Sequence, residues 1–174
     1  MKNKNLLIVV IIFGLLLVVT FIYRKVNESK SGSLKRTAVL SLESNSSEIS
    51  VGSELTVNMT LDSKSNEVAA ADFVLQFDPE YFSVASVSTG NFFSNYPVNI
   101  TGKNFVKLSG VATFDGETLT LPKGRNSVGQ IAFKSTGKTG KTEFRFDSNK
   151  TIVATNGQNI LDTKQLTGLL INVK

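Results

Sequence analysis

The sequence predicts an all-β sandwich preceded by one N-terminal transmembrane helix, and three features carry that prediction. Leu6 to Tyr23 is an unbroken apolar run without a charge, LLIVVIIFGLLLVVTFIY. From Ala38 onward, short segments of alternating apolar and polar residues are bounded by turn residues. Helical periodicity is sustained nowhere in that second part. The 174 residues therefore divide into an anchor over residues 1–26, a flexible tether over 27–37 and a sandwich over 38–174. The last part has the usual size of one domain and is large enough to fold on a single core.

The apolar run is long enough, as a helix of about 27 Å, to cross a hydrocarbon layer. It exceeds the apolar region of a secretory signal peptide, and no small-x-small cleavage site precedes Arg24-Lys25, so it reads as an uncleaved anchor. Tyr23 falls at the interface and Arg24 with Lys25 form the polar stop. The tether, NESKSGSLKR followed by Thr37, has no apolar period and is built from Ser, Gly and charges.

Within the sandwich, nine strands are expected: Ala38 to Leu42, Leu55 to Leu61, Ala70 to Phe77, Ser83 to Ser88, Phe105 to Leu108, Gly129 to Lys134, Thr142 to Phe146, Ile152 to Thr155 and Gly168 to Val173. In LTVNMTL, Leu55, Val57, Met59 and Leu61 share one face and Thr56, Asn58 and Thr60 the other. Phe73, Leu75 and Phe77 share a face in the same way, as do Phe144 and Phe146. Such half-apolar strands need a second sheet to cover them. Seven Gly turns, at Gly52, Gly90, Gly116, Gly124, Gly137, Gly140 and Gly157, are each expected at positive φ, and Asp78-Pro79 ends the strand before it.

Composition removes most chemistry. The chain has no Cys and no His, which excludes disulfides, a thiol nucleophile, a Ser-His-Asp triad and imidazole or thiolate metal sites. No D-x-D-x-D-G loop is present, and Asp78, Glu80, Asp115, Glu117, Asp147 and Asp162 form no recognisable acid and base pair. The expectation is a binding protein, not an enzyme, with no cofactor and no metal. The net charge of +5 does not point to nucleic acid, because residues 1–36 hold seven basic residues against Glu28 alone. The remainder carries 12 basic and 13 acidic residues. The basicity flanks a membrane segment, where it suits anionic headgroups.

The domain resembles a cohesin domain, the β-sandwich receptor module of bacterial cellulosomes and related cell-surface systems, whose superfamily includes carbohydrate-binding modules. The likeness lies in AVLSLESNSSEISVGSELTVNMTLDS, in VAAADFVLQFDPEYFSVASVSTGNFF with its D-F-x-L-x-F-D-P core, in VGQIAFKST, and in the closing TEFRFDSNKTIVATNGQNILDTKQLTGLLINV. It implies a nine-stranded jelly roll whose flat sheet face receives a dockerin, a small calcium-loaded helical module. Of the Asn and Asp that contact dockerin in the family, the Asp is matched by Asp72, whereas Ala70 stands at the Asn position. The resemblance and the order of stub, anchor and sandwich imply a cell-membrane protein with the domain outside the cytoplasm. The basic residues after the anchor count the other way.

Two site readings stay open on sequence. By alternation Asp72 points away from Phe73, Leu75 and Phe77, either as a partner contact or as a solvated surface residue. The aromatics Phe92, Phe93 and Tyr96 are either a stacking platform for polysaccharide or a plug for the sandwich end. The expected partners are accordingly a dockerin-like or other surface protein, polysaccharide, or a membrane complex that holds the chain as a structural subunit, with the membrane itself engaged by the N-terminal helix.

Overall fold

The computed structural model describes residues 35–174. The expected anchor, Leu6 to Tyr23, and the tether through residue 34 lie outside the described residues. Among the described residues no helix is long and apolar enough to cross a membrane.

The domain opens with β1 (Val39–Ser44), β2 (Glu48–Ile49) and β3 (Glu54–Asp62). After β4 (Ala70–Gln76) the chain turns at Asp78-Pro79 into β5 (Phe82–Thr89). A hairpin of β6 (Asn95–Thr101) and β7 (Phe105–Val111) follows, then a smaller one of β8 (Thr113–Phe114) and β9 (Leu119–Thr120). The last strands are β10 (Arg125–Ser135), β11 (Gly140–Phe146), β12 (Ile152–Thr155), β13 (Gln158–Asn159) and β14 (Leu169–Val173), with one 3-10 turn at Thr163–Gln165.

One sheet is antiparallel and runs β1, β3, β10, β5. The larger sheet is organised around β4, which pairs with β7 along its whole length, while β7 pairs in turn with β6. The other edge of β4 is shared. Ala70 to Asp72 pair with β12, which continues to β13, and Leu75 and Gln76 pair with β11, which continues to β14 and β2. The loop between β11 and β12 fills the fork: Asp147 donates its N–H to the Val74 carbonyl at 2.9 Å, and the Val74 N–H donates to Thr151 Oγ1 at 3.3 Å. No backbone group of Val74 is thereby left unpaired in the middle of the sheet.

Between the sheets, the expected inward faces are buried: Leu55, Val57, Met59 and Leu61 of β3, Phe73 and Leu75 of β4, and Phe144 and Phe146 of β11. Phe133 of β10 joins them, with ring centroids 4.7 Å from Phe144, 5.1 Å from Phe77 and 6.0 Å from Phe82. These inclined contacts fasten one sheet to the other. Each of the nine expected segments carries a strand. The count of nine is nevertheless corrected, because β2, β6, β8, β9 and β13 are added among the described residues. β6 was illegible because none of its residues is buried and it contains Pro97; its ladder with β7 holds it, and no apolar stripe announces it.

Six of the seven Gly turns have the expected positive φ. At the β12–β13 hairpin, Asn156 (φ 47°) and Gly157 (φ 74°) both adopt the left-handed region that a two-residue turn requires. Gly90 is the correction. It does not have positive φ, and it is Gly for space: a Cβ there would collide with the Ser127 carbonyl, at the bulge that interrupts β10.

Candidate partner-binding face

On β4 the side chains of Phe73 and Leu75 turn inward, so Ala70, Asp72, Val74 and Gln76 point to the outer face of the larger sheet. Register places Val111, Ser109, Lys107 and Phe105 of β7 beside these four in order. On the opposite side of β4, Ala154 and Ile152 of β12 stand beside Ala70 and Asp72. One strand beyond β7, Val98 and Ile100 of β6 stand beside Ser109 and Lys107.

Asp72 occupies the middle of this face. Lys107 Nζ donates to its Oδ2 at 2.8 Å and Ser109 Oγ to its Oδ1 at 2.5 Å, so each carboxylate oxygen has a donor from β7. Ile152 and Ile100 flank the pair and are 41% and 51% exposed. Ala70, half-buried between Val111 and Ala154, offers no polar group. Beside Asp72 a groove of about 510 Å³ is lined by Val74, Gln76, Phe105, Lys107, Asp147 and Lys150 among others. Gln76 donates to Asp147 Oδ2 at 3.0 Å and accepts from Arg145 Nε at 3.3 Å. Lys150 Nζ lies 3.6 Å from the same Asp147 oxygen.

Partial burial opposes ionisation of Asp72, but the hydrogen bonds from Lys107 and Ser109 and the Lys107 charge outweigh it and hold its carboxyl below the ordinary aspartate value of 3.8. A depressed folded value means that the pair stabilises the fold above the unfolded value and that this contribution disappears as pH falls through the folded one. Asp72→Asn is therefore expected to lower the thermal midpoint modestly at neutral pH, with wild type and variant converging only in acid below 3.8. A difference that persists unchanged in strong acid would show that the ion pair is not its source.

The other expected site residues lie elsewhere. Phe92 and Phe93 are buried, 3% and 2% exposed, and stack edge to face with centroids 5.0 Å apart. Only Tyr96 is half-buried, its ring 5.9 Å from Phe93 and its phenol pushed above the ordinary value by burial. The two Phe rings are turned away from solvent and leave no face open for stacking. The acids are spent on turns. Asp78 accepts from the Glu80 N–H, Asp115 from those of Glu117 and Thr118, Asp147 from that of Asn149, and Asp162 from that of Lys164. Among the described residues no three potential metal ligands come together.

Sequence reasoning singled out Asp72 and missed Lys107, Ser109, Ile100 and Ile152. Alternation in FVKLSGV already puts Phe105, Lys107 and Ser109 on one face. What it lacks is the register that sets Ser109 opposite Asp72, which is a relation between strands 37 residues apart.

A model of the cohesin domain family matches residues 38–173, and the chain belongs to that family of non-enzymatic protein-binding modules. No curated protein matches the sequence. Among solved structures it is similar to the third cohesin of ScaC from Acetivibrio cellulolyticus, determined in complex with the ScaB dockerin. That match has 20% identity over 76% of this chain and 99% of the other, with a TM-score of 0.61. CaCohA2 from Clostridium acetobutylicum matches at 16% identity over 78% and 91%, with a TM-score of 0.62. A non-cellulosomal cohesin from the archaeon Archaeoglobus fulgidus matches at 13% identity over 78% and 91%, with a TM-score of 0.56. At these identities the likeness is one of fold.

Proposed function

We propose that this chain is a cohesin module anchored in the cell membrane by Leu6 to Tyr23 and displayed outside the cytoplasm. In this reading it docks a dockerin-like protein on the outer face of the larger sheet, within a footprint that includes Asp72 and Ala70. The observation that carries the site is the Asp72, Lys107 and Ser109 cluster set between exposed Ile100 and Ile152, a polar centre in an apolar surround on an open sheet. The dockerin complex of the similar ScaC cohesin supports the class of partner, and the uncharged apolar run supports the anchor. Docking of this kind serves cell-surface assembly, including the gathering of polysaccharide-degrading enzymes. Direct capture of polysaccharide is the weaker reading, since two of the three candidate rings, Phe92 and Phe93, are buried.

The test is retention of proteins from the cell's own extract on immobilised residues 35–174, with calcium and after chelation. Ile152→Asp, which places a charge in the centre of the face, is expected to reduce calcium-dependent retention about tenfold or more. Gln130→Lys, on the outer surface of the smaller sheet, is expected to leave it unchanged. Equal retention by wild type and Ile152→Asp would reject this face as the docking surface.

A further inference from the structure

The hydrogen bonds on the outer face are not evenly spent. Both carboxylate groups lining the groove beside β4 are satisfied from within the molecule: Asp72 by Lys107 and Ser109, Asp147 by Gln76, Lys150 and the Asn149 N–H. The donors are in surplus. Lys107 has three N–H groups and commits one to Asp72, and its side chain remains 32% exposed. The Lys150 side chain is 71% exposed, and in the adjoining groove Arg145 commits its Nε to the neutral amide oxygen of Gln76. A basic segment arriving here would find both carboxylates already bonded within the molecule and would have to displace Lys107 or Lys150 to reach one. Breaking a formed pair, or burying a new cation without a partner, costs binding.

Resting on the docking reading above, we propose that Lys107 is the polar recognition group of this face and Asp72 the residue that positions it. The partner segment is then one that offers a carboxylate between apolar side chains. The partner carboxylate takes the free N–H groups of Lys107, forming a charge-assisted bond, while its apolar neighbours cover Ile100 and Ile152. Asp72 and Ser109 hold the Lys107 ammonium against β7 before the partner arrives, so less side-chain freedom is lost on docking. Glu143 lies in the adjoining groove between Lys141 and Arg145 on the outer face of β11, outside the groove that Lys107 lines.

Two synthetic helical peptides test this against the full chain in detergent. They share one leucine face and differ only in carrying Glu or Lys beside it, and binding is read by fluorescence polarisation. Wild type is expected to favour the Glu peptide about tenfold or more at low salt, with the preference shrinking as salt is raised. Lys107→Met abolishes the preference, Lys107→Arg keeps it, and Lys107→Glu reverses it. Asp72→Ala weakens Glu-peptide binding in the presence of Lys107 and has no further effect in the Lys107→Met background, as expected of a residue that acts through another. Equal binding of the two peptides, both abolished by Ile152→Asp, would overturn the role of Lys107 and leave the docking face standing. Binding of neither, or binding indifferent to Ile152→Asp, would overturn both.

Discussion

Replacing Phe133 with Ala is expected to destabilise the sandwich by about 4 kcal/mol, read as a lower urea midpoint at unchanged slope for residues 35–174. Phe133 is fully buried on β10 and is the ring at which the sheets meet, touching Phe77, Phe82 and Phe144. The loss has two parts: the transfer of a large apolar group and the cavity left between two sheets held apart by their other side chains. The remaining rings cannot all close that gap, because Phe82 and Phe144 are already in contact with centroids 4.9 Å apart. For a single domain whose whole stability is about 5–15 kcal/mol, a loss of this size removes a large share. Phe114→Ala supplies the contrast, since that ring is 63% exposed on the β8–β9 hairpin and its removal is expected to change stability by no more than about 0.5 kcal/mol. Similar losses at Phe133 and Phe114 would contradict the placement of the core.

The second large effect is expected at Gly90, where Ala should cost about 3 kcal/mol, at the upper end of what overpacking usually costs. The Gly90 N–H donates to the Val128 carbonyl at 3.1 Å and the Phe92 N–H to the Ser127 carbonyl at 2.8 Å, so the chain leaving β5 lies directly on the backbone of β10. A methyl group at Gly90 meets the Ser127 carbonyl and the Val128 amide, atoms that move only if the strand moves. That strand also holds the bulge that turns Val128 into the core. Gly168 is the matching control. A Cβ there is equally crowded, but by the carboxylate end of Glu143, a side chain that can swing aside, so Gly168→Ala is expected to change stability by about 0.5 kcal/mol or less. Urea unfolding of the two variants separates the cases, and equal effects would mean that backbone crowding is not the determinant at Gly90.

The two glycines also show where reading a sequence stops. Both follow a threonine near a strand end, and nothing local distinguishes a Gly needed for its φ from one needed for its missing Cβ. Gly52 and Gly157 belong to the first kind, and their turn chemistry is legible from adjacent residues. Gly90 belongs to the second, and its reason is Ser127, reached only when β5 and β10 pair. β6 divides along the same line, since an edge strand without a buried residue has no alternation to read. Asp78, Asp115, Asp147 and Asp162, which form no acid and base pair in the sequence, are turn builders: each accepts from a backbone N–H two residues ahead.

The sequence by itself determined the class of fold, the absence of cysteine and histidine chemistry, the inward faces of β3, β4 and β11, and the outward direction of Asp72. These are properties of period and composition, which a strand carries whether or not it has yet found a partner. Tertiary structure alone decided that Asp72 meets Lys107 and Ser109, that Ile100 and Ile152 flank them, and that Phe92 and Phe93 face inward. The physical reason is register. Side-chain period places a residue on a face, but which residue stands beside it depends on how distant strands slide into pairing, and a shift of one position would have set Leu108 or Gly110 against Asp72 in place of Ser109.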